Sequence, residues 1–236
     1  MTRLMRRTSS AVCLLLVFLL ACQLHGLEKA KKIELFNGKD LSGWLAKGGA
    51  ADETLKVGTA KLDPNNSREL VVAASGDELI NFKGGARDFF TEAKLGDGVY
   101  EVEFMVPKGS NSGVYLMGEY EVQILDSYGK EKVGPGDVGG LYGAQAPRLN
   151  AAKAPGQWQA FVIDFRAPKF DDTGKKIANA RFVKVTLNGQ VIHEDVEMKS
   201  QTPGGLTGQE HPVGPLMFQG NHGPVAYRNI HFTPTE

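Results

Sequence analysis

Apolar and polar residues alternate with a period of two along most of this chain, the pattern of strands whose successive side chains point to opposite faces of a sheet. Such runs, or runs rich in β-branched residues, predict strands at Glu69–Val72, Val99–Val106, Val114–Met117, Tyr120–Leu125, Trp158–Phe165, Arg181–Leu187, Gln190–Val196, Leu216–Gln219 and Ala226–Phe232. Glycine, proline, asparagine and aspartate punctuate them. The sharpest hairpin signal is Asn188-Gly189, which tolerates the positive φ angles of a two-residue type I′ turn. Helical periodicity is scarce; Glu78–Ala93 is ambiguous, and its Gly84-Gly85 pair argues for a loop. Strands of this length with one apolar parity need a second sheet to cover them, so the expected fold is all-β, a sandwich of two curved antiparallel sheets.

The segment Asn111–Tyr128 carries the most chemistry. Tyr120, Val122 and Ile124 share one parity, and Glu119, Glu121 and Gln123 share the other. One side is expected to be core. The other sets two carboxylates and an amide in a row ~6.5–7 Å apart, twice the rise per residue of a strand, on a concave face open to water. Val99–Val106 repeats the pattern, with Glu101 and Glu103 opposite Tyr100, Val102 and Phe104. The two strands are expected to pool their acids on one surface, although alternating acids commonly mean no more than a solvated sheet face. Asn111 and Ser112 are explained by turn chemistry. Trp44 and Trp158 each follow a turn signal and enter an apolar strand, which assigns them to core packing.

The N-terminus changes where this domain is expected to work. Arg3, Arg6 and Arg7 precede a short apolar run from Ala11 to Ala21, the layout of an export signal, and the run is too short to span a bilayer. Leu19-Leu20-Ala21-Cys22 resembles a lipoprotein box, with Cys22 as the lipidated first residue of the mature protein. Residues 1–22 are then a lipoprotein signal, 23–32 a polar tether and 33–236 one domain. The expected location is lipid-anchored in the periplasm or on the cell surface, or else periplasmic or secreted, with membrane contact only through the lipid. Both cysteines, Cys13 and Cys22, fall in the signal, which removes thiol nucleophiles and cysteine-ligated zinc from the domain. Lysine plus arginine equals aspartate plus glutamate at 27 each, with no basic stripe, so nucleic acid is not an expected partner. His193, His211, His222 and His231 show no zinc-type spacing; no cofactor is implied, and a divalent metal is left open.

Several segments in order carry a family resemblance: L-F-N-G-K-D-L-S-G-W (Leu35–Trp44), N-S-G-V-Y-L (Asn111–Leu116), E-Y-E-V-Q-I-L-D (Glu119–Asp126), G-L-Y-G (Gly140–Gly143), P-G-Q-W-Q (Pro155–Gln159), L-N-G (Leu187–Gly189) and Y-R-N-I-H-F (Tyr227–Phe232). Together, from about Ile33 to Pro234, they resemble the 3-keto-disaccharide hydrolase family. That resemblance implies a jelly-roll sandwich of the concanavalin A-like lectin/glucanase type. It also implies action on glycosides oxidised to a ketone at C3, as hydrolase or as 1,2-lyase with hydratase activity.

A carbonyl at C3 acidifies the C2 hydrogen, so a placed base can remove it and the enolate can expel the C1 substituent; water then adds back. The route asks for a base, a stabiliser of the enolate oxygen and an acid near the glycosidic oxygen. Glu121 is the expected base, in mid-strand beside Glu119. His222 is the second catalytic candidate, uncovered between glycines in Q-G-N-H-G-P. Related sequences often read D-H-G there, whereas this chain has Asn221. Expected substrate contacts are Glu119, Gln123, Asp126, Tyr142 and Arg228, with a turn cap the rival use of Asp126 and a salt bridge the rival use of Arg228. Two other functions stay open: a non-catalytic carbohydrate-binding module on the same fold, and a conventional glycoside hydrolase.

Overall fold

The computed structural model describes residues 30–50 and 54–235. The expected signal, Cys22 and most of the tether lie outside them. The described residues contain no helix; they form β1 (Ile33–Glu34), β2 (Trp44–Ala46), β3 (Gly49–Ala50), β4 (Leu55–Leu62), β5 (Leu70–Asn81), β6 (Phe89–Thr91), β7 (Gly98–Met105) and β8 (Asn111–Leu116). These are followed by β9 (Tyr120–Leu125), β10 (Gln159–Arg166), β11 (Lys169–Phe170), β12 (Lys176–Ala178), β13 (Ala180–Leu187), β14 (Gln190–Met198), β15 (Met217–Phe218) and β16 (Val225–Pro234). Every segment expected to be a strand is one, and Asn188 (φ 54°) with Gly189 (φ 80°) makes the positive-φ turn between β13 and β14.

Two antiparallel sheets face each other across one core. The larger runs β14-β13-β10-β7-β16-β5-β4 with β1 beside β16, and the smaller runs β3-β2-β6-β15-β8-β9. Inward parities interdigitate: Tyr100, Phe104, Phe161 and Phe165 from the large sheet meet Trp44, Phe89, Tyr120 and Phe218 from the small one. Phe218 stacks on Tyr227 with ring centroids 3.9 Å apart and planes 9° apart, and Tyr120 lies 5.4 Å from Phe165. The Tyr227 hydroxyl meets the Ser112 hydroxyl at 2.6 Å, so a phenol sunk in the core keeps a partner. Phe218→Ala leaves a hole bounded by Trp44, Phe89 and Tyr227 and is expected to lower unfolding stability by about 3–5 kcal/mol in urea titration.

Three expectations change here. The acids of β7 and β9 do not share a surface, because β7 lies in the large sheet and β9 in the small one. Glu101 instead pairs with Lys32, and Glu103 with Arg228 and Asn229, on the outer face of the large sheet. Second, strict alternation along β16 fails at a bulge between Arg228 and His231, where Asn229 has φ 50°. The extra residue leaves Arg228 outside while Ile230 turns into the core, so the two do not share a face. Third, Trp44 is a core residue, with Nε1 donating to the Leu35 carbonyl at 3.0 Å, but Trp158 is only half-buried. It packs beside a small outer cluster of Ile80, Met105 and Ala226 under the Arg228 guanidinium.

Candidate active site

The β8–β9 hairpin turns through Met117 and Gly118, both at positive φ, and sets Tyr115 opposite Glu121 and Gly113 opposite Gln123. Val114, Leu116, Tyr120, Val122 and Ile124 point into the core. Asn111, Tyr115, Glu121 and Gln123 point the other way and line a cavity of about 250 Å³. Gly113 is required between them: a Cβ there would lie 2.2 Å from Glu121 Oε1, so the carboxyl lies against bare backbone.

This face is not open to water as alternation suggests. Glu119, Glu121 and Gln123 are all buried, and Glu121 is 1 % exposed. The reason is the free edge of β9, whose backbone groups would otherwise be unpaired. Two loops pair with it. In the first, Gly139 N donates to the Gln123 carbonyl, Gln123 N to the Gly140 carbonyl and Tyr142 N to the Glu121 carbonyl. In the second, Thr202 N donates to the Glu119 carbonyl and Thr202 Oγ1 accepts from Glu121 N at 2.9 Å. These bonds carry Tyr142 and Pro203-Gly204 to the cavity rim, where Gln219 and His222 complete it.

Buried His193 anchors the first loop, its Nε2 donating to the Gly139 carbonyl at 2.7 Å. Burial holds its pKa below the ordinary histidine value, which suits this neutral, donating form.

The floor carries buried polar atoms with no partner within the protein: Glu121 Oε2, Gln123 Oε1 and Asn111 Oδ1. Such atoms are rare because leaving one unpaired costs about 1–3 kcal/mol. All three accept hydrogen bonds, so the complement they call for is a cluster of hydroxyl donors. Burial pushes the Glu121 carboxyl up to about 7; the nearby Asp88 charge adds to the rise, and a hydrogen bond from the Tyr115 hydroxyl opposes it. Burial, with the Glu121 charge next, pushes the Tyr115 phenol far above its ordinary value and keeps it a proton donor. His222 stands exposed at the rim, its Nδ1 2.5 Å from Asn221 Oδ1, so asparagine supplies the orienting acceptor without a charge.

Of the residues singled out from sequence, the fold brings together Glu121, Gln123, Tyr142 and His222. It does not bring Glu119, Asp126 or Arg228 to them. Glu119 Oε1 accepts from Thr207 N and Oγ1, both at 2.7 Å, and Oε2 accepts from Gly208 N, so this carboxylate anchors the second loop. Asp126 receives Gly109 N at 2.8 Å and Tyr128 N at 3.3 Å, a turn cap just beyond the strand. Arg228 lies on the other sheet, bonded to Glu103 at 2.7 Å and 3.9 Å from Glu78. Arg228→Ala is therefore expected to leave turnover within about twofold of wild type while lowering stability by about 1–3 kcal/mol, because it unpairs half-buried carboxylates.

Sequence reasoning assigns Asn111 to turn chemistry, whereas the residue lies in β8 and lines the cavity; it misses Tyr115, which shares parity with Asn111 in N-S-G-V-Y-L, as well as Gln219 and Pro203-Gly204. Among the described residues no group of three or more histidine, cysteine, aspartate or glutamate side chains is arranged to hold a metal ion.

Comparison with known proteins bears on the chain as a whole. The family model described as a 3-keto-alpha-glucoside-1,2-lyase-like domain matches residues 31–233. The chain belongs to this family. The 3-keto-alpha-glucoside-1,2-lyase-like assignment agrees with the resemblance seen in sequence and makes this a carbohydrate-active domain. A solved candidate glycosyl hydrolase from Parabacteroides distasonis ATCC 8503 is 28% identical, with a TM-score of 0.68 over 86% of this chain and 84% of that one. A second from the same organism is 16% identical, with a TM-score of 0.60 over 87% and 94%, and shows the fold alone. The fold is the all-β sandwich of two antiparallel sheets expected from the sequence. No curated protein matches the chain.

Proposed function

We propose that this domain cleaves 3-keto-glycosides by elimination across C1 and C2 followed by hydration, with Glu121 as the base. The observation that carries the reading is a lone carboxyl on the floor of the cavity, raised to about 7 and with one oxygen unpaired. A base of that strength is ionised in useful amount near neutral pH and takes a proton more readily than an ordinary carboxylate.

In the proposed cycle Glu121 takes the C2 hydrogen as a proton, and the C2–H electron pair moves toward the C3 carbonyl. The enolate then forms the C1–C2 double bond, and the C1–O bond breaks with its electrons leaving on oxygen. His222, held by Asn221, protonates that oxygen. Water then adds its oxygen to C1 and gives one proton to the now neutral His222, while Glu121 returns its proton to C2, so both groups are regenerated and the product is the free 3-keto sugar. Hydroxyls of the ring supply the donors that Asn111 Oδ1 and Gln123 Oε1 lack.

A conventional retaining mechanism needs two carboxyl groups about 5–5.5 Å apart flanking the bond. Among the described residues lining the cavity, Glu121 is the one carboxylate, and neighbouring Glu119 is bonded into its loop. That favours elimination. The test is incubation of purified protein with 3-keto-trehalose or methyl 3-keto-glucoside. Release of 3-keto-glucose is expected; binding without release would favour a carbohydrate-binding module, and cleavage of unoxidised glycosides in its place would favour an ordinary hydrolase.

A further inference from the structure

A second cavity, of about 470 Å³, adjoins the Glu121 cavity and shares two wall residues with it, Tyr142 and Pro203. Its other walls include Glu197, Met198, Lys199, Ser200 and Gln201, from the end of β14 and the loop that follows. The partition is fixed in place. Tyr142 N donates to the Glu121 carbonyl, and Thr202, one residue before Pro203, bonds the backbone of both Glu119 and Glu121. A Cβ on Gly143 would meet Pro203 Cδ at 3.8 Å, so the two loops touch across the partition.

We infer that this second cavity is the subsite for the leaving group, with Tyr142 and Pro203 forming the sill over which the glycosidic bond passes. The inference rests on the functional reading given above and deepens it. Elimination at C1 places the departing oxygen next to the ring held over Glu121, so the leaving group must occupy adjoining space. The cavity across the sill is the larger of the two, about 470 Å³ against about 250 Å³. Its surface also suits a second sugar. Tyr142, 39% exposed, offers an aromatic face for ring C–H groups. The Lys199 ammonium and Ser200 hydroxyl are bonded to no other group among the described residues and remain to meet hydroxyls. Glu197, in contrast, is already held by Arg181 and Asn179.

The experiment compares wild type with Ser200→Trp, which fills the cavity from an exposed position, and Tyr142→Ala, which removes the sill's aromatic face. For each protein, kcat/KM is measured on 3-keto-trehalose and on methyl 3-keto-glucoside, and binding of plain glucose is followed by saturation-transfer NMR. The expected result is at least a tenfold fall in the disaccharide-to-methyl-glycoside ratio in both variants, together with loss of the glucose signal in Ser200→Trp. A ratio within twofold of wild type, with glucose still bound by Ser200→Trp, overturns the inference. Glucose binding needs no turnover. Failure of the wild type to cleave either ketone would remove the functional reading, while loss or retention of the glucose signal still decides the subsite.

Discussion

Glu121→Gln lowers kcat on a 3-keto-glucoside by about 10²–10⁴-fold, the range expected when a positioned base is lost, and at the same time makes the protein more stable at alkaline pH. Both effects have one cause. Burial raises the carboxyl from 4.5 to about 7 in the folded protein, whereas in the unfolded chain it returns to its ordinary value. Below about pH 4.5 both states hold the proton and no penalty applies. As pH rises from there the unfolded state gives up its proton first, so folding stability falls, and the loss is complete above about pH 7. At 1.36 kcal/mol per pKa unit the full loss is about 3 kcal/mol. Glutamine carries no charge, so the variant gains that amount in urea unfolding at pH 8 and little of it at pH 5. Wild-type kcat/KM, in contrast, rises with pH through about 7 as the base ionises.

Gly113→Ala is the second large effect, and it needs no change to the base itself. The added methyl carbon would stand 2.2 Å from Glu121 Oε1, 2.9 Å from Cδ and 3.0 Å from Cγ. Rotation of the carboxylate alone does not clear these contacts, so the whole side chain shifts, or β8 and β9 part. A displacement near 1 Å at a reacting group lowers rate by about 10²-fold, and overfilling a packed site destabilises by about 1–3 kcal/mol. The comparison is Gly85→Ala, where a Cβ meets nothing within 4 Å. Steady-state kinetics and thermal unfolding on both variants are expected to show loss only at Gly113.

The architecture was largely legible in the sequence because period-two alternation reports burial directly. The strands it overlooked were the short ones, such as β6 at three residues, and β4, whose Gly58 interrupts the pattern at a bulge. At Gly58 a Cβ would lie 2.3 Å from the Ala73 carbonyl, so backbone proximity rather than side-chain parity sets that residue. The site divided along the same line. Parity placed Glu121 and Gln123 on the correct side of β9, yet it also implied an open, solvated row. Two loops distant in sequence pair with the edge of β9 and cover it, and nothing local announces such a pairing. That cover turns Glu119 into a loop anchor while leaving Glu121 over a cavity. Arg228 was misplaced because parity along a strand does not say which sheet the strand joins, and β16 lies in the large sheet while β9 lies in the small one.

If Glu121 removes a proton made acidic by the adjacent ketone, hydrogen exchange at C2 reports that step without any need for cleavage. Protein is incubated with 3-keto-glucose in D₂O, and the C2 proton signal is followed by NMR against an enzyme-free control. Wild type is expected to wash the C2 proton out well above the control rate, and Glu121→Gln to fall back to that rate. Exchange in Glu121→Gln as fast as in wild type would rule out Glu121 as the base.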